Sequence, residues 1–144
     1  MIHIDFVCTG NICRSPMAEV IIRQKLIDAS LDHAVHVTSS GIGGWHVGNP
    51  ADSRAVAELA AAGYDGSAHR AAQFGGSRMD ADLIVALDTR HVSELVARGV
   101  PEDRIRLLRS FDPASPSGAG VEDPYYGGPE GFTVTRQQIV AAVS

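Results

Sequence analysis

The chain alternates between short continuous apolar runs and longer stretches whose apolar residues recur at helical spacing. A run such as Leu83–Leu87, with five apolar residues in succession, is typical of a strand buried on both faces of a sheet. The longer stretches begin and end with helix signals such as proline at the start and glycine at the stop. The predicted strands are Ile2–Val7, Val35–Ser39, Leu83–Leu87 and Ile105–Leu108, and the predicted helices run from Ser15 to about Leu31, over Ala51–Ala62, from Asp88 or Thr89 to about Arg98, and over Phe132–Val143.

Strands that alternate with helices indicate an α/β fold with a parallel sheet, because each parallel strand needs a crossover to return the chain. Right-handed crossovers place helices on both faces of that sheet. A polar loop over residues 73–82 has room for a short helical turn, and residues 113–120 are predicted to form a flexible loop. With 144 residues the chain has the length of one ordinary domain, and we expect a single domain over residues 1–144.

The composition is that of a folded protein in water, with 44% apolar and 20% charged residues and a mean hydropathy of +0.01. Twelve Lys and Arg against seventeen Asp and Glu give a net charge of −5, which argues against a basic surface for nucleic acid or anionic membranes. Two cysteines are too few for a disulfide-stapled secreted domain, and we find neither a signal peptide nor an apolar stretch of about 20 residues. We therefore expect a cytoplasmic protein, although secretion without a signal stays open.

The residues between the first strand and the first helix carry the candidate chemistry. They read C-T-G-N-I-C-R-S-P from Cys8 to Pro16, at the carboxyl end of a strand, where α/β sheets bind ligands. The backbone N–H groups of such a loop and the positive end of the helix dipole form an anion-binding site. Arg14 adds a planar guanidinium suited to two hydrogen bonds with phosphate oxygens. The same positive field favours the thiolate form of Cys8, which would make it a nucleophile.

This loop resembles the nucleophile loop of the low-molecular-weight protein tyrosine phosphatases, which has the form Cys-x5-Arg-Ser directly after the first strand. Further matches follow in family order across nearly the whole chain. They are Val37-Thr38-Ser39, Gly48-Asn49-Pro50, His69, Val85-Ala86-Leu87-Asp88 and Val121-Glu122-Asp123-Pro124-Tyr125-Tyr126-Gly127. The resemblance implies a flavodoxin-like three-layer sandwich, in which a four-stranded parallel sheet of order 2-1-3-4 lies between helices.

The resemblance also implies a reaction and its partners. Cys8 would attack the phosphorus of phosphotyrosine, Arg14 would bind the phosphate, and Asp123 would act first as general acid and then as general base. Neither a metal nor a cofactor is expected. The expected partners are phosphotyrosine-containing proteins, with no nucleic acid and no membrane, and the expected state is a monomer.

Further residues are assigned by the resemblance to supporting groups. The phosphate-binding loop would comprise Thr9, Gly10, Asn11, Ile12, Cys13 and Ser15, and two side chains that hold it in place would be Ser39 and His69. The walls around the phosphotyrosine ring would be Ile12, Trp45, Tyr125 and Tyr126. Two questions stay open at this point: whether Cys13 only packs or pairs reversibly with Cys8 on oxidation, and whether a cognate tyrosine kinase phosphorylates the two tyrosines.

Three other functions fit parts of the pattern. Arsenate reductases share the fold and the loop but use additional cysteines later in the chain, and none follows Cys13. Protein-arginine phosphatases of the family tend to carry threonine at the position of Ile12, whereas isoleucine favours an aryl group. A non-catalytic phosphate-binding module would have lost the cysteine, the arginine or the aspartate, and all three are present.

Overall fold

Strands and helices alternate along the chain in the computed structural model, which describes residues 1–143. The strands are β1 (Ile2–Cys8), β2 (Val35–Gly41), β3 (Leu83–Ala86) and β4 (Ile105–Leu107). The α-helices are α1 (Arg14–Asp28), α2 (Ser53–Ala61), α3 (Thr89–Ala97) and α4 (Pro129–Val143), and short 3₁₀ segments span Gly76–Asp80, Glu102–Arg104 and Leu108–Phe111. Across these 143 residues we find no helix of the length and apolar character that a membrane crossing requires.

The sheet has the strand order β2-β1-β3-β4, and every strand pair in it is parallel. Phe6 in β1 pairs with Ser39 on one side and with Val85 on the other. The chain leaves β1 towards β2 and later returns to β3 on the opposite side, which is the reversal point where open α/β sheets bind ligands. The predicted parallel sheet and its strand order are confirmed, and the loop after β1 lies at that reversal point.

Alternate residues of the strands pack on opposite faces of the sheet, as the pleat of a strand requires. Phe6 faces a core that it shares with Met17 of α1 and Phe132 of α4. Val7 faces a second core, closed by Leu95 of α3. Because both faces are covered by helices, the molecule is the three-layer, flavodoxin-like sandwich that the sequence predicts.

Some element boundaries differ from the predicted ones for local reasons. Helix α1 ends at Asp28 instead of near Leu31, because Ser30 is left-handed with a φ of 59° and the Leu31 N–H bonds back to the carbonyl of Leu26. Helix α4 begins at Pro129, three residues before Phe132, with proline at the first helical position. Strand β2 continues to Gly41, which brings its end beside the loop that follows β1.

Candidate active site

The carbonyl groups and the N–H groups of the loop at residues 9–13 differ in their bonding. Four carbonyl groups in and next to the loop accept hydrogen bonds of 2.8–2.9 Å from the surrounding structure. The Cys8 carbonyl accepts from the Ile42 N–H, and the Thr9 carbonyl accepts from the Gly43 N–H. The Asn11 carbonyl accepts from the His69 ring, and the Ile12 carbonyl accepts from the Asp52 N–H. Within residues 1–143, none of the five N–H groups of Thr9–Cys13 donates to a protein acceptor. A concave loop with tethered carbonyls and free N–H groups can bind the oxygens of an anion.

Asn11 holds the loop in this shape through every polar group of its side chain. Its backbone is left-handed, with a φ of 59°, and the side chain is fully buried. The amide nitrogen donates to the hydroxyls of Ser15 and Ser39 at 2.8 and 2.9 Å, and the amide oxygen accepts from the Ala72 N–H at 2.8 Å. Asparagine tolerates a left-handed backbone better than most residues, so it satisfies both the conformational and the bonding requirement of the position.

Ser39 and His69, the two supporting residues expected from the sequence, both bond to Asn11. The Ser39 hydroxyl accepts from Asn11 and donates to the carboxylate of Glu19 at 2.5 Å. The Nε2 atom of His69 lies 2.8 Å from the Asn11 carbonyl oxygen, and since only a donor can bond a carbonyl, this nitrogen carries a proton. Burial lowers the pKa of His69, which favours the neutral ring at physiological pH.

Strand β2 approaches the loop most closely at Gly41. A Cβ atom built on Gly41 would lie 2.8 Å from the carbonyl carbon of Gly10 and 2.9 Å from the nitrogen of Asn11. A further close approach occurs at Gly10, where a Cβ would lie 3.0 Å from the His46 ring. Both glycines therefore allow the backbone of the loop to pack against its neighbours without displacement.

Helix α1 differs from the next two helices at its N-terminus. Asp52 and Asp88 cap α2 and α3 by accepting hydrogen bonds from backbone N–H groups of the first turn. The residue at the same position of α1 is Cys13, and its side chain makes no such bond. The positive end of α1 is thus left for an anion in the loop.

Cys8 lies at the base of the loop, and Cys13 lies at its far end. Both are buried and unpaired. The Cys8 sulfur is 2.9 Å from the Ser15 hydroxyl, close enough for that hydroxyl to donate to a thiolate. Burial raises the pKa of Cys13 to about 12, and the negative charges of Asp52 and Asp123 add to this effect. Cys13 is therefore a neutral thiol at physiological pH, and its predicted redox role stays a prediction.

Arg14 is buried except for 3% of its side chain, and its guanidinium is oriented by four residues from three segments. Its Nη1 donates to Asp88 at 2.7 Å and to the Val121 carbonyl at 3.3 Å. Its Nη2 donates to the Thr9 hydroxyl at 3.3 Å and lies 3.5 Å from the carboxylate of Asp123. Burial raises the pKa of Asp88, but the hydrogen bond from Arg14 and the charges of His91 and Arg14 outweigh it and leave the pKa below its usual value.

Asp123 faces Arg14 across the mouth of the loop. Its Oδ2 lies near the guanidinium, while its Oδ1 accepts from the Tyr125 N–H at 3.2 Å and so fixes the turn. Arg54 of α2 holds this turn in place by donating to the carbonyls of Tyr125 at 3.0 Å and Gly127 at 3.1 Å. Asp52 in turn orients Arg54 through two hydrogen bonds of 3.0 Å. The side chain of Asp123 is about one-third exposed, so it can exchange protons with solvent.

A pocket opens above the loop, with Cys8 and Arg14 at its base and Asp123 on one side. The wall residues expected from the sequence all line it, namely Ile12, Trp45, Tyr125 and Tyr126, together with His46. Tyr125 and Tyr126 meet edge to face, with ring centroids 4.9 Å apart. The Trp45 side chain is 73% exposed, so it stands at the rim and leaves the pocket open to a large substrate.

Four further side chains bond to residues of the site, and the sequence had not indicated that they lie there. Asp88 bonds to Arg14, and His91 bonds to Thr9. Glu19 bonds to Ser39, and Arg54 bonds to the turn that follows Asp123. Asp88 could have been suspected, because it follows a predicted buried strand at the ligand-binding edge of the sheet. The other three lie on helices, and no local sequence signal separates them from ordinary polar surface residues.

Fold and site together define a class of protein: an α/β protein whose anion-binding loop carries a cysteine and an arginine and is faced by an aspartate. A family model described as low molecular weight phosphotyrosine protein phosphatase matches residues 3–144. The chain belongs to this family of phosphatases, as the sequence motifs indicated.

Individual relatives agree with this assignment. The low molecular weight protein-tyrosine phosphatase A of Mycobacterium tuberculosis is 56% identical over 127 residues, which cover 88% of this chain and 77% of that protein. A crystal structure of a protein tyrosine phosphatase from Entamoeba histolytica, with Hepes in its active site, matches with a TM-score of 0.92 at 30% identity and covers 99% and 92% of the two chains. The arginine phosphatase YwlE of Bacillus subtilis, solved with a phosphorylated active-site serine, matches with a TM-score of 0.86 at 27% identity over 99% and 91% of the chains.

Proposed function

We propose that this protein hydrolyses phosphotyrosine in proteins through a covalent phosphocysteine intermediate. The observation that carries the proposal is the position of the Cys8 sulfur, at the base of a loop whose five N–H groups have no acceptor within residues 1–143 and beside the oriented guanidinium of Arg14. A phosphate dianion bound there would place its phosphorus against the sulfur and its oxygens against the donors.

In the first step, the Cys8 thiolate attacks phosphorus as the bond from phosphorus to the phenolic oxygen breaks. The loop N–H groups and Arg14 stabilise the charge on the three equatorial oxygens. Asp123 gives its proton to the departing phenolate, whose conjugate acid has a pKa near 10. Its place beside Arg14 at the pocket mouth supports this role.

In the second step, a water molecule attacks the phosphocysteine. Asp123, now a carboxylate, accepts a proton from the water as the S–P bond breaks, which releases phosphate and restores the thiolate. The Ser15 hydroxyl lies 2.9 Å from the Cys8 sulfur and 3.3 Å from the Ser40 carbonyl oxygen, and it stabilises the departing thiolate by turning its one hydrogen from that carbonyl to the sulfur. Every proton and electron pair is accounted for by Cys8, Asp123, substrate and water.

The pocket walls support an aryl phosphate as the substrate. Ile12 and Tyr125 provide apolar surfaces for a flat ring, and the exposed Trp45 can contact residues next to the phosphotyrosine. The partners are therefore phosphotyrosine-containing proteins. Tyr126 is 91% exposed, which supports the further proposal that a tyrosine kinase can modify it. A cytoplasmic location and a monomeric state stay predictions.

Phosphoarginine is the second candidate substrate, because the matched structure of YwlE is that of an arginine phosphatase. The residue that argues against it is Ile12, which gives the pocket an apolar side chain where a guanidinium would need a polar partner. Aryl phosphate therefore remains the preferred class.

The proposal is tested by phosphate release from small aryl phosphates by the reduced protein, with no metal added. We expect turnover by the wild-type protein, and we expect Cys8→Ser to reduce it to the background rate while inorganic phosphate still binds. Cys13→Ala, which removes the other thiol of the loop without adding a helix cap, should retain turnover. Absence of turnover by the wild-type protein would refute the proposal.

The role of Asp123 is tested by varying the leaving group. Because a general acid contributes about 100- to 10,000-fold, Asp123→Ala should slow the release of poor leaving groups by that order and that of good leaving groups much less. If the variant shows the same dependence on leaving-group pKa as the wild-type protein, Asp123 is not the acid.

A further inference from the structure

The side chain of Thr9, directly after Cys8, has no part in the mechanism derived so far. It is exposed and lines the pocket. Its hydroxyl oxygen lies 3.0 Å from Nε2 of His91 and 3.3 Å from Nη2 of Arg14. A side chain with two buried partners at the mouth of a reactive site has a defined orientation, and the direction of its hydroxyl hydrogen follows from those partners.

The tautomer of His91 is determined by its other nitrogen. The Asp88 N–H donates to Nδ1 at 3.2 Å, so Nδ1 is an acceptor and carries no hydrogen. His91 is 2% exposed, and this burial lowers its pKa to about 4. The charges of Arg14 and Arg90 also lower the pKa of His91, whereas the charge of Asp88 raises it. A neutral ring with a bare Nδ1 has its single proton on Nε2, and it therefore donates to Thr9.

Thr9 thus accepts two hydrogen bonds through one oxygen. One comes from the Nε2–H of His91 and the other from the Nη2–H of Arg14. A hydroxyl oxygen has two lone pairs and one hydrogen, so with both lone pairs occupied the hydrogen points away from these partners. Thr9 lines the pocket above the loop, so a ligand bound there lies within reach of this hydrogen.

We infer that the Thr9 hydroxyl donates a hydrogen bond to a phosphoryl oxygen of the substrate and of the phosphocysteine, and that His91 acts as the positioning residue that orients it. The inference rests on the proposed function and adds a side-chain donor to the backbone donors of the loop. Arg14 Nη2 contacts both the Thr9 hydroxyl and Asp123, so the new donor lies on the same side of the phosphate as the proposed acid.

The bond to Thr9 gives the buried neutral side chain of His91 a role next to the loop. Asp88 bonds to both Arg14 and His91, through its carboxylate and its backbone N–H respectively. One residue at the end of β3 therefore orients two donors that converge on the phosphate. A hydrogen bond from a fixed hydroxyl to a charged oxygen strengthens as charge develops in the transition state.

The inference predicts how variants of Thr9 bind inorganic phosphate, measured as competitive inhibition of aryl phosphate hydrolysis. Thr9→Val keeps the shape and removes the donor, so phosphate should bind about tenfold more weakly, or weaker still, with a matching fall in kcat/KM. Thr9→Ser keeps the hydroxyl and should restore both. Thr133→Val is a matched control, because it loses a hydroxyl bonded to Glu58 away from the site, and it should bind phosphate like the wild-type protein.

The role of His91 is tested by two variants of different chemistry. His91→Gln keeps an acceptor for the Asp88 N–H and a donor for Thr9, and it should retain most of the phosphate affinity. His91→Leu removes both, and its loss should not add to that of Thr9→Val when the two are combined. Full additivity in the double variant would show that His91 does not act through Thr9.

A direct contact is distinguished from an effect on Arg14 or Asp123 by a crystal structure of the wild-type protein with vanadate. We expect the Thr9 hydroxyl oxygen within about 3 Å of a vanadate oxygen. A hydroxyl that points to Asp123 instead, or unchanged phosphate inhibition in Thr9→Val, overturns the inference. Wild-type turnover tests the proposed function separately, because it does not depend on the result for Thr9.

Discussion

Asn11 and Gly41 show how single residues shape the phosphate loop. Asn11 adopts the left-handed backbone that turns the loop, and its side chain ties that turn to Ser15, Ser39 and the Ala72 N–H. Gly41 leaves the space in which the turn lies. The geometry of the five free N–H groups therefore depends on one residue that bonds and one that has no side chain.

The first prediction concerns Gly41→Ala. Its new methyl group would lie 2.8 Å from the backbone of Gly10, so the loop must move. A displacement of about 1 Å at a reacting centre can cost about a hundredfold in rate, and we expect a loss of that order in kcat/KM for aryl phosphates.

Gly131→Ala in helix α4 is the matched control. A Cβ there meets Pro124 at an ordinary 3.6 Å, and alanine favours the helix by about 0.5–1 kcal/mol. This variant should unfold at higher urea concentration and keep its activity. Normal activity in Gly41→Ala would show that the loop does not need the close approach.

At this scale, the sequence predicted the residues that are proposed to react, and the structure places them in one pocket, but the sequence did not predict those that orient them. Cys8, Arg14 and Asp123 occur in motifs, because their chemistry requires a particular residue type at a particular spacing. Glu19 and His91 act over sequence separations of 20 and 82 residues, and such pairs are determined by how helices pack on the sheet. Asp5, fully buried in β1 and bonded to Thr38 and Ser40, is a similar case, since a strand pattern alone predicts an apolar residue there.

At the scale of elements, α2 and α3 each hold one part of the site. Helix α2 supplies Arg54, which binds the turn that follows Asp123. Helix α3 begins at Thr89 and is capped by the carboxylate of Asp88, which also bonds to Arg14. The sequence predicted both helices because their apolar spacing is clear, whereas the start of α4 was missed because Pro129–Gly131 has no apolar side chain at helical spacing.

The second prediction concerns Arg54→Ala. Loss of its bonds to the carbonyls of Tyr125 and Gly127 should loosen the Asp123 turn. The release of poor leaving groups should therefore slow by at least about tenfold, and by no more than it does in Asp123→Ala. Arg136→Ala is the control, because it removes an arginine that pairs with Glu58 of α2. This control should lower stability and leave the leaving-group dependence unchanged, and an equal kinetic effect of both variants would contradict the role of Arg54.

The third prediction concerns pH and the start of α3. The pKa of His91 is about 4 in the folded protein, against 6.5 for an ordinary histidine. Between these values the unfolded chain binds a proton that the folded one does not, so stability falls as the pH drops from about 6.5 to about 4. The contribution of this group is of the order of 3 kcal/mol, present in full above pH 6.5.

His91→Gln tests that prediction by urea unfolding across the same pH range. The variant should lose the part of the slope that is due to His91 and keep the part due to His69, whose pKa is also lowered by burial. An unchanged slope in His91→Gln would mean that the buried ring is not the group that titrates.

At the scale of the whole molecule, the proposed function requires an acidic chain to bind a dianion through local groups. The net charge is −5, yet Arg14, the N-terminus of α1 and the loop whose five N–H groups have no acceptor within residues 1–143 lie together beside one pocket. The sheet makes this possible, because β1 and β3 end at the same edge and bring Cys8 and Asp88 together from positions 80 residues apart. The sequence predicted this edge from the alternation of strands and helices.

The most direct test of the central claim compares phosphate release from three peptides of the same neutral sequence that carry phosphotyrosine, phosphoserine or phosphoarginine. Neutral flanking residues are chosen because the negative charge of the protein disfavours acidic peptides. We predict a kcat/KM for the phosphotyrosine peptide at least about a hundredfold above those of the other two. Equal or faster release from the phosphoarginine peptide, or no release from the phosphotyrosine peptide, would contradict the account.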